Sequence, residues 1–145
     1  MSKIRQLNGD DYPEAAKKHL GDAETLFQAK HYDGAGYLTG YIAECVLKTV
    51  IVLEGGKAPR VHKLHDLSQS ALKLAAMPSA KTATYAIRPS PGHSLYDGAT
   101  GWRETLRYRP DGYITPQEAT EWLTEARTLY AAAIIPMQLD GVCTF

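Results

Sequence analysis

The residues Thr115-Pro116-Gln117-Glu118 carry the sharpest structural instruction in the chain. A threonine hydroxyl can accept from the orphan backbone N–H three residues on, a proline is tolerated at the first helical position, and a glutamate in third place can reach back to the cap. Beyond them Ala119, Trp122, Leu123, Ala126, Leu129, Tyr130, Ala133, Ile134 and Met137 recur every three or four residues, which is the apolar stripe of a long helix. Three other segments repeat at the same period, and none alternates at period two. The pattern predicts an all-α protein, an up-and-down bundle of four to five helices forming one domain over residues 1–145.

The first helix is expected from Asp11-Tyr12-Pro13-Glu14 to about Ala29, with Ala16, Leu20, Ala23, Leu26 and Phe27 facing inward. After a turn at His31-Tyr32-Asp33-Gly34, a second helix is expected to reach about Leu53, where Glu54-Gly55-Gly56-Lys57-Ala58-Pro59 supplies the stop. Its apolar line begins as Leu38, Ile42 and Cys45 and then spreads over Val46, Leu47, Val50, Ile51, Val52 and Leu53. That end is expected to be covered on several sides, by the core or by another subunit. A third helix is expected from Asp66, with Gln69 completing a variant capping box and Leu64, Leu67, Ala71 and Leu74 as its stripe. A short fifth helix is expected from Ser79 to Ile87. Arg88-Pro89-Ser90-Pro91-Gly92 then opens a long irregular loop, residues 88–114. Residues 1–10 read as a polar N-terminal tail and residues 138–145 as a C-terminal one.

Sixteen Lys and Arg balance sixteen Asp and Glu, so bulk charge does not make the chain a coat for nucleic acid, although a local basic patch is compatible with the balance. At 44% hydrophobic and 22% charged residues the chain falls outside the disordered and low-complexity classes. Two cysteines exclude a disulfide framework; Cys45 reads as a core thiol and Cys143 as an exposed one. The start lacks an apolar leader, and the longest apolar run, Cys45 to Leu53, is shorter than the roughly 20 residues of a membrane span. A cytoplasmic location without membrane insertion is expected.

Helix one followed by Lys30-His31-Tyr32-Asp33, then Tyr37-x3-Tyr41-x2-Glu44-x2-Leu47-Lys48, then His65-Asp66-Leu67, then Trp102-x4-Arg107-Tyr108-Arg109, resembles the HEPN domain (higher eukaryotes and prokaryotes nucleotide-binding) from about Tyr12 to Tyr130. The resemblance implies a helical bundle that dimerises. It also implies an RNA-linked or toxin–antitoxin-like system, whose members include RNases, toxins and partners of minimal nucleotidyltransferases. Active RNases of the family carry Arg-x(4 to 6)-His. Arg60-Val61-His62-Lys63-Leu64-His65 fits that spacing, with Val61 where a polar residue is usual, and Arg88-Pro89-Ser90-Pro91-Gly92-His93 is a second match. On this likeness Arg60 and His65 are the candidate catalytic pair of a metal-independent RNase, the His taking the 2′-OH proton and the Arg holding the phosphate. The other implied reading is a non-catalytic nucleotide- or protein-binding module that partners a nucleotidyltransferase.

Tyr37, Tyr41 and Lys48 share a helix face that suits either an RNA or nucleotide groove or half-buried packing beside an exposed Glu44–Lys48 pair. Trp102, Arg103, Arg107 and Arg109 form the one concentrated basic and aromatic run; such residues bind phosphate and stack bases, and they equally pin a loop. His62-x2-His65 with Asp66 and His93 lacks the second ligand pair of a zinc site. With no glycine-rich phosphate loop and no nucleophile elbow, neither a metal nor a cofactor is expected. The homodimer is expected to seat on Val50, Ile51 and the Ala131 to Ile135 turn.

Overall fold

The structure, a computed structural model, describes residues 1–85 and 88–145. Those residues form α1 (Tyr12–Gln28), α2 (Tyr32–Gly55), α3 (Leu64–Ala75) and α4 (Pro116–Leu139), with short 3-10 turns at Ser94–Tyr96 and Glu104–Tyr108 and no strand among them. The capping box of α4 forms: Thr115 Oγ1 accepts from the Glu118 N–H at 3.1 Å, and Glu118 Oε2 accepts from the Thr115 N–H at 3.0 Å. Asp11 caps α1, accepting from the Glu14 N–H at 3.4 Å. The same carboxylate takes the N–H and hydroxyl of Ser2 at 2.6 and 2.7 Å, which buries Ser2. Residues 1–10 are therefore laid onto the bundle rather than hanging from it. The C-terminal tail also folds back, with the Val142 and Cys143 N–H groups both donating to Met137 O. Cys143 is buried, which corrects its reading as an exposed thiol.

Lys30 adopts the left-handed conformation (φ 64°), so the His31 N–H reaches back to Leu26 O at 2.8 Å and the chain reverses at once into α2, which starts inside the expected turn. α2 is the central element, packed against α1, α3 and α4. It has the length and apolarity of a membrane span, yet 78% of its most apolar window is buried inside the fold, as in a core helix. Val46 through Val52 are covered by the chain's own helices. The apolar wrap of α2 thus gives no seat for a second subunit on Val50 and Ile51, and on α4 it is Ile135 and Leu139 that stay exposed.

Two local expectations fail for identifiable reasons. α3 begins at Leu64, behind Lys63, with no side-chain cap. Asp66 lies in its first turn, so the Asp66–Gln69 box does not form. From Ser79 to Tyr85 the chain makes successive turns, Ala83 N–H to Ala80 O and Tyr85 N–H to Thr82 O, in place of a fifth helix. The remaining two residues of that expected helix, Ala86 and Ile87, lie outside the described residues.

The 88–114 stretch is a packed unit whose Leu95, Tyr96, Trp102, Leu106 and Ile114 are buried. Among the anchors that hold it, three involve its middle and end. Trp122 Nε1 donates to Ser94 Oγ at 2.9 Å, Trp102 Nε1 donates to Tyr37 O at 2.7 Å, and the Asp33 carboxylate accepts from the Gly112 and Ile114 N–H groups at 2.6 and 2.7 Å.

Candidate nucleic-acid interface

The connection from α2 to α3 concentrates charge that the whole chain balances out. Residues 57–63 carry Lys57, Arg60, His62 and Lys63 with no carboxylate, and all four are exposed. No ion pair engages Lys57, Arg60 or Lys63 among the described residues. A cleft lies on each side of this loop. One, about 560 Å³, is lined by Arg5, Asn8, Asp10, Tyr12, Lys57 and Arg60. The other, about 610 Å³, is lined by His62, Lys63, His65, Asp66, Trp102 and Arg103, with Asp97 and Glu104 as further carboxylates. At His65, Tyr96 and Asp97 this second cleft continues into a third, about 410 Å³, that holds Arg88 and His93.

The structure separates the expected catalytic pair. Arg60 lines the first cleft and a neighbouring hollow with Ile51 and Ser70, whereas His65 lines the second and third. Between them the chain passes from extended loop into helix at the buried Leu64, which turns the two side chains into different clefts.

Lys48 and Glu44 form an ion pair at 2.7 Å, but both are buried, which corrects their reading as an exposed pair. The loop folds over them: His62 Nδ1 lies 3.1 and 3.0 Å from the two Glu44 carboxylate oxygens. On the other side α1 closes the group, with the Tyr12 ring 5.7 Å from Lys48 Nζ and the His19 ring 5.7 Å from that of Tyr41. Burial, then the neighbouring Asp10, pushes the Tyr12 hydroxyl up to about 12. Burial, then Lys18, lowers the His19 imidazole, whose buried Nδ1 has no hydrogen-bond partner among the described residues. Lys48 is thereby out of direct reach of a ligand in the clefts.

Tyr37, Tyr41 and Trp102 pack on one another. The two tyrosine hydroxyls share a 2.9 Å hydrogen bond, and the Tyr41 and Trp102 rings meet edge-on with centroids 5.0 Å apart. Burial, then the Tyr37 hydroxyl, raises the Tyr41 hydroxyl above its ordinary range. The expected arginine cluster disperses: Arg103 donates to Ala99 O at 2.9 Å and lines the second cleft, while exposed Arg107 and Arg109 lie over the Tyr108 and Tyr113 rings.

The sequence reading passed over the buried carboxylate of Glu125. Glu125 accepts from the Ser90 N–H at 2.9 Å and from its hydroxyl at 2.8 Å, and lies 4.0 Å from His93 Nε2. His93 Nδ1 accepts from the Leu95 N–H at 3.1 Å, so the second Arg-x4-His match has its imidazole engaged in holding the loop. Burial, then Glu125, raises the nearby Tyr96 hydroxyl. The signal for Glu125 was its place inside the inward stripe, between Trp122 and Ala126. Glu44 carried the same signal beside Ala43 and Leu47. Among the described residues no group of His, Cys, Asp and Glu is arranged to hold a metal.

A family model of the HEPN domain matches residues 10–135 of the 145. The chain belongs to the HEPN domain family. No curated protein and no solved structure shows significant similarity to it. HEPN domains are helical bundles and nucleotide- or RNA-related modules, and the match includes the cationic loop and the whole 88–114 unit.

Proposed function

We propose that this HEPN domain binds RNA, with the phosphodiester backbone running along Lys57, Arg60 and Lys63 and adjacent nucleotides entering the clefts on either side. The observation that carries the reading is the exposed loop set between the two clefts, whose Lys57, Arg60 and Lys63 have no ion-pair partner among the described residues. Cations free of carboxylate partners release counterions when phosphates approach, whereas paired ones must first give up a partner. The first cleft adds Arg5 to this ridge, and the second adds Arg103.

The test is retention of mixed single-stranded RNA on filters across a salt series. Each phosphate contact to a single strand contributes a slope of about −0.7 in log K against log salt. Replacing Lys57, Arg60 and Lys63 together by alanine is expected to make the slope shallower by about 2 and to abolish retention near physiological salt. Failure of the parent protein to retain RNA at low salt overturns the reading. An equal loss from Arg107→Ala with Arg109→Ala, and none from the loop, moves the surface to the long segment instead.

A further inference from the structure

We infer that the second cleft selects guanine among the bases of a bound strand, with Asp66 accepting from the N1–H and N2–H donors of the base and Arg103 donating to its O6 and N7. This selectivity rests on the RNA-binding reading of the cationic loop, which delivers the strand to the cleft beside it.

The charge of the cleft turns phosphate away. Lys63 and Arg103 share it with three carboxylates, Asp66, Asp97 and Glu104, and none of these five side chains is in an ion pair among the described residues. A phosphate drawn to the two cations would sit beside an excess of anions, so the phosphodiester stays on the loop and an uncharged base suits the cleft. The space, about 610 Å³, is that of a small-ligand site. Donors and acceptors left unpaired side by side suit a ligand that brings both kinds of group.

Guanine is the base that brings both in pairs. Its N1–H and N2–H lie side by side and match the two oxygens of a carboxylate, while its O6 and N7 lie side by side and match a guanidinium. Adenine and cytosine each offer one amino group beside ring acceptors, and uracil one N–H between two carbonyls. Asp97 already spends Oδ1 on the Ala99 and Thr100 N–H groups at 2.7 and 2.9 Å, and Glu104 adjoins Arg103 on the same wall. Asp66 comes from the other wall, in the first turn of α3. Arg103 is fixed at Nη1 by Ala99 O at 2.9 Å, and its Nε has no partner among the described residues, so the guanidinium is held in place with donors to spare. A flat base also needs a ring to lie on. Trp102 lines the cleft but is 4% exposed, whereas the His62 side chain is 49% exposed and its Nδ1 is pinned 3.0 and 3.1 Å from the Glu44 oxygens. An imidazole held still in this way stacks a base at little cost in side-chain entropy.

The experiment measures filter retention by the full chain, at one salt concentration, of four short oligouridine strands whose central base is guanine, adenine, cytosine or uracil. The guanine strand is expected to bind about 10-fold tighter than the other three, the weight of one good bidentate pair. Inosine, which lacks the N2 amino group, and 7-deazaguanine, which lacks N7, are each expected to lose most of that preference. Asp66→Ala and Arg103→Ala are each expected to bring the four strands nearly level, while Lys57→Ala with Arg60→Ala weakens all four alike. A merely structural role for Asp66 would lower retention of every strand and leave the ratio unchanged. Equal retention of the four strands by the parent, a preference for another base, or inosine held as tightly as guanine overturns the guanine assignment and leaves the binding reading standing. A guanine preference that survives Asp66→Ala overturns the role given to that carboxylate. Absence of retention overturns the binding reading and the selectivity together.

Discussion

Trp102 occupies the volume that a side chain at residue 40 would fill: a Cβ built on Gly40 falls onto the indole ring itself. The bare helix surface at Gly40 is therefore what lets the 88–114 unit lie against α2. Gly40→Ala is expected to cost about 1–3 kcal/mol, since a packed core resists an added methyl, and to expose Trp102. Thermal melting and tryptophan emission check this; an unchanged melting curve contradicts it.

Gly21 is the opposite case. It sits in the interior of α1, and a Cβ there meets nothing within 4 Å. Gly21→Ala is expected to stabilise the domain by about 0.5–1 kcal/mol, because alanine loses less backbone entropy on entering a helix. A urea midpoint moved to higher concentration, with the slope unchanged, is the expected result.

Glu125 ties the start of the long unit to α4 through Ser90. Glu125→Ala removes the acceptor for two donors and is expected to cost about 1–3 kcal/mol. Hydrogen exchange is expected to speed up over the described residues 88–96 while the first turns of α4 stay protected. Equal loss of protection across the whole of α4 would show that Glu125 holds the helix rather than the loop.

Burial, then Lys18, lowers the His19 imidazole from its ordinary 6.5. Below that pH the unfolded chain binds the proton and the folded one does not, so stability is full above about 6.5 and falls as the pH drops toward the folded value. Folding stability of the parent and of His19→Leu, measured at pH 7.5 and 5.5, is expected to converge or cross, the variant losing less on acidification. A parallel loss in both proteins contradicts the assignment.

What was legible in the sequence was what neighbours in the chain decide. The α4 capping box, the Asp11 cap and the glycine stop of α2 involve residues a few positions apart, and each formed. The sequence left open whether the core or another subunit covers Val46 through Val52, because the cover comes from α1, α3 and α4, which no local period reveals. Glu44 and Lys48 were read as exposed for the same reason, their lid being His62 and α1. Arg60 and His65 are close in sequence, yet the helix start at Leu64 lies between them and sends them apart. His62, Lys63 and His65 were visible as residue types at the right place, but their meeting with Trp102 and Arg103 in one cleft depends on a segment about forty positions away.

Three anchors of the 88–114 unit, at Ser94, Trp102 and the Gly112 to Ile114 strip, leave two unequal spans between them. Between them lie the exposed tips 97–100 and 107–111. Insertions or new side chains at these tips would leave the bundle's stability alone, because no anchor and no buried residue lies in them. Relatives of this chain are therefore free to diversify at the tips in length and charge, while the anchors and Gly40 can change only together with the helices they grip.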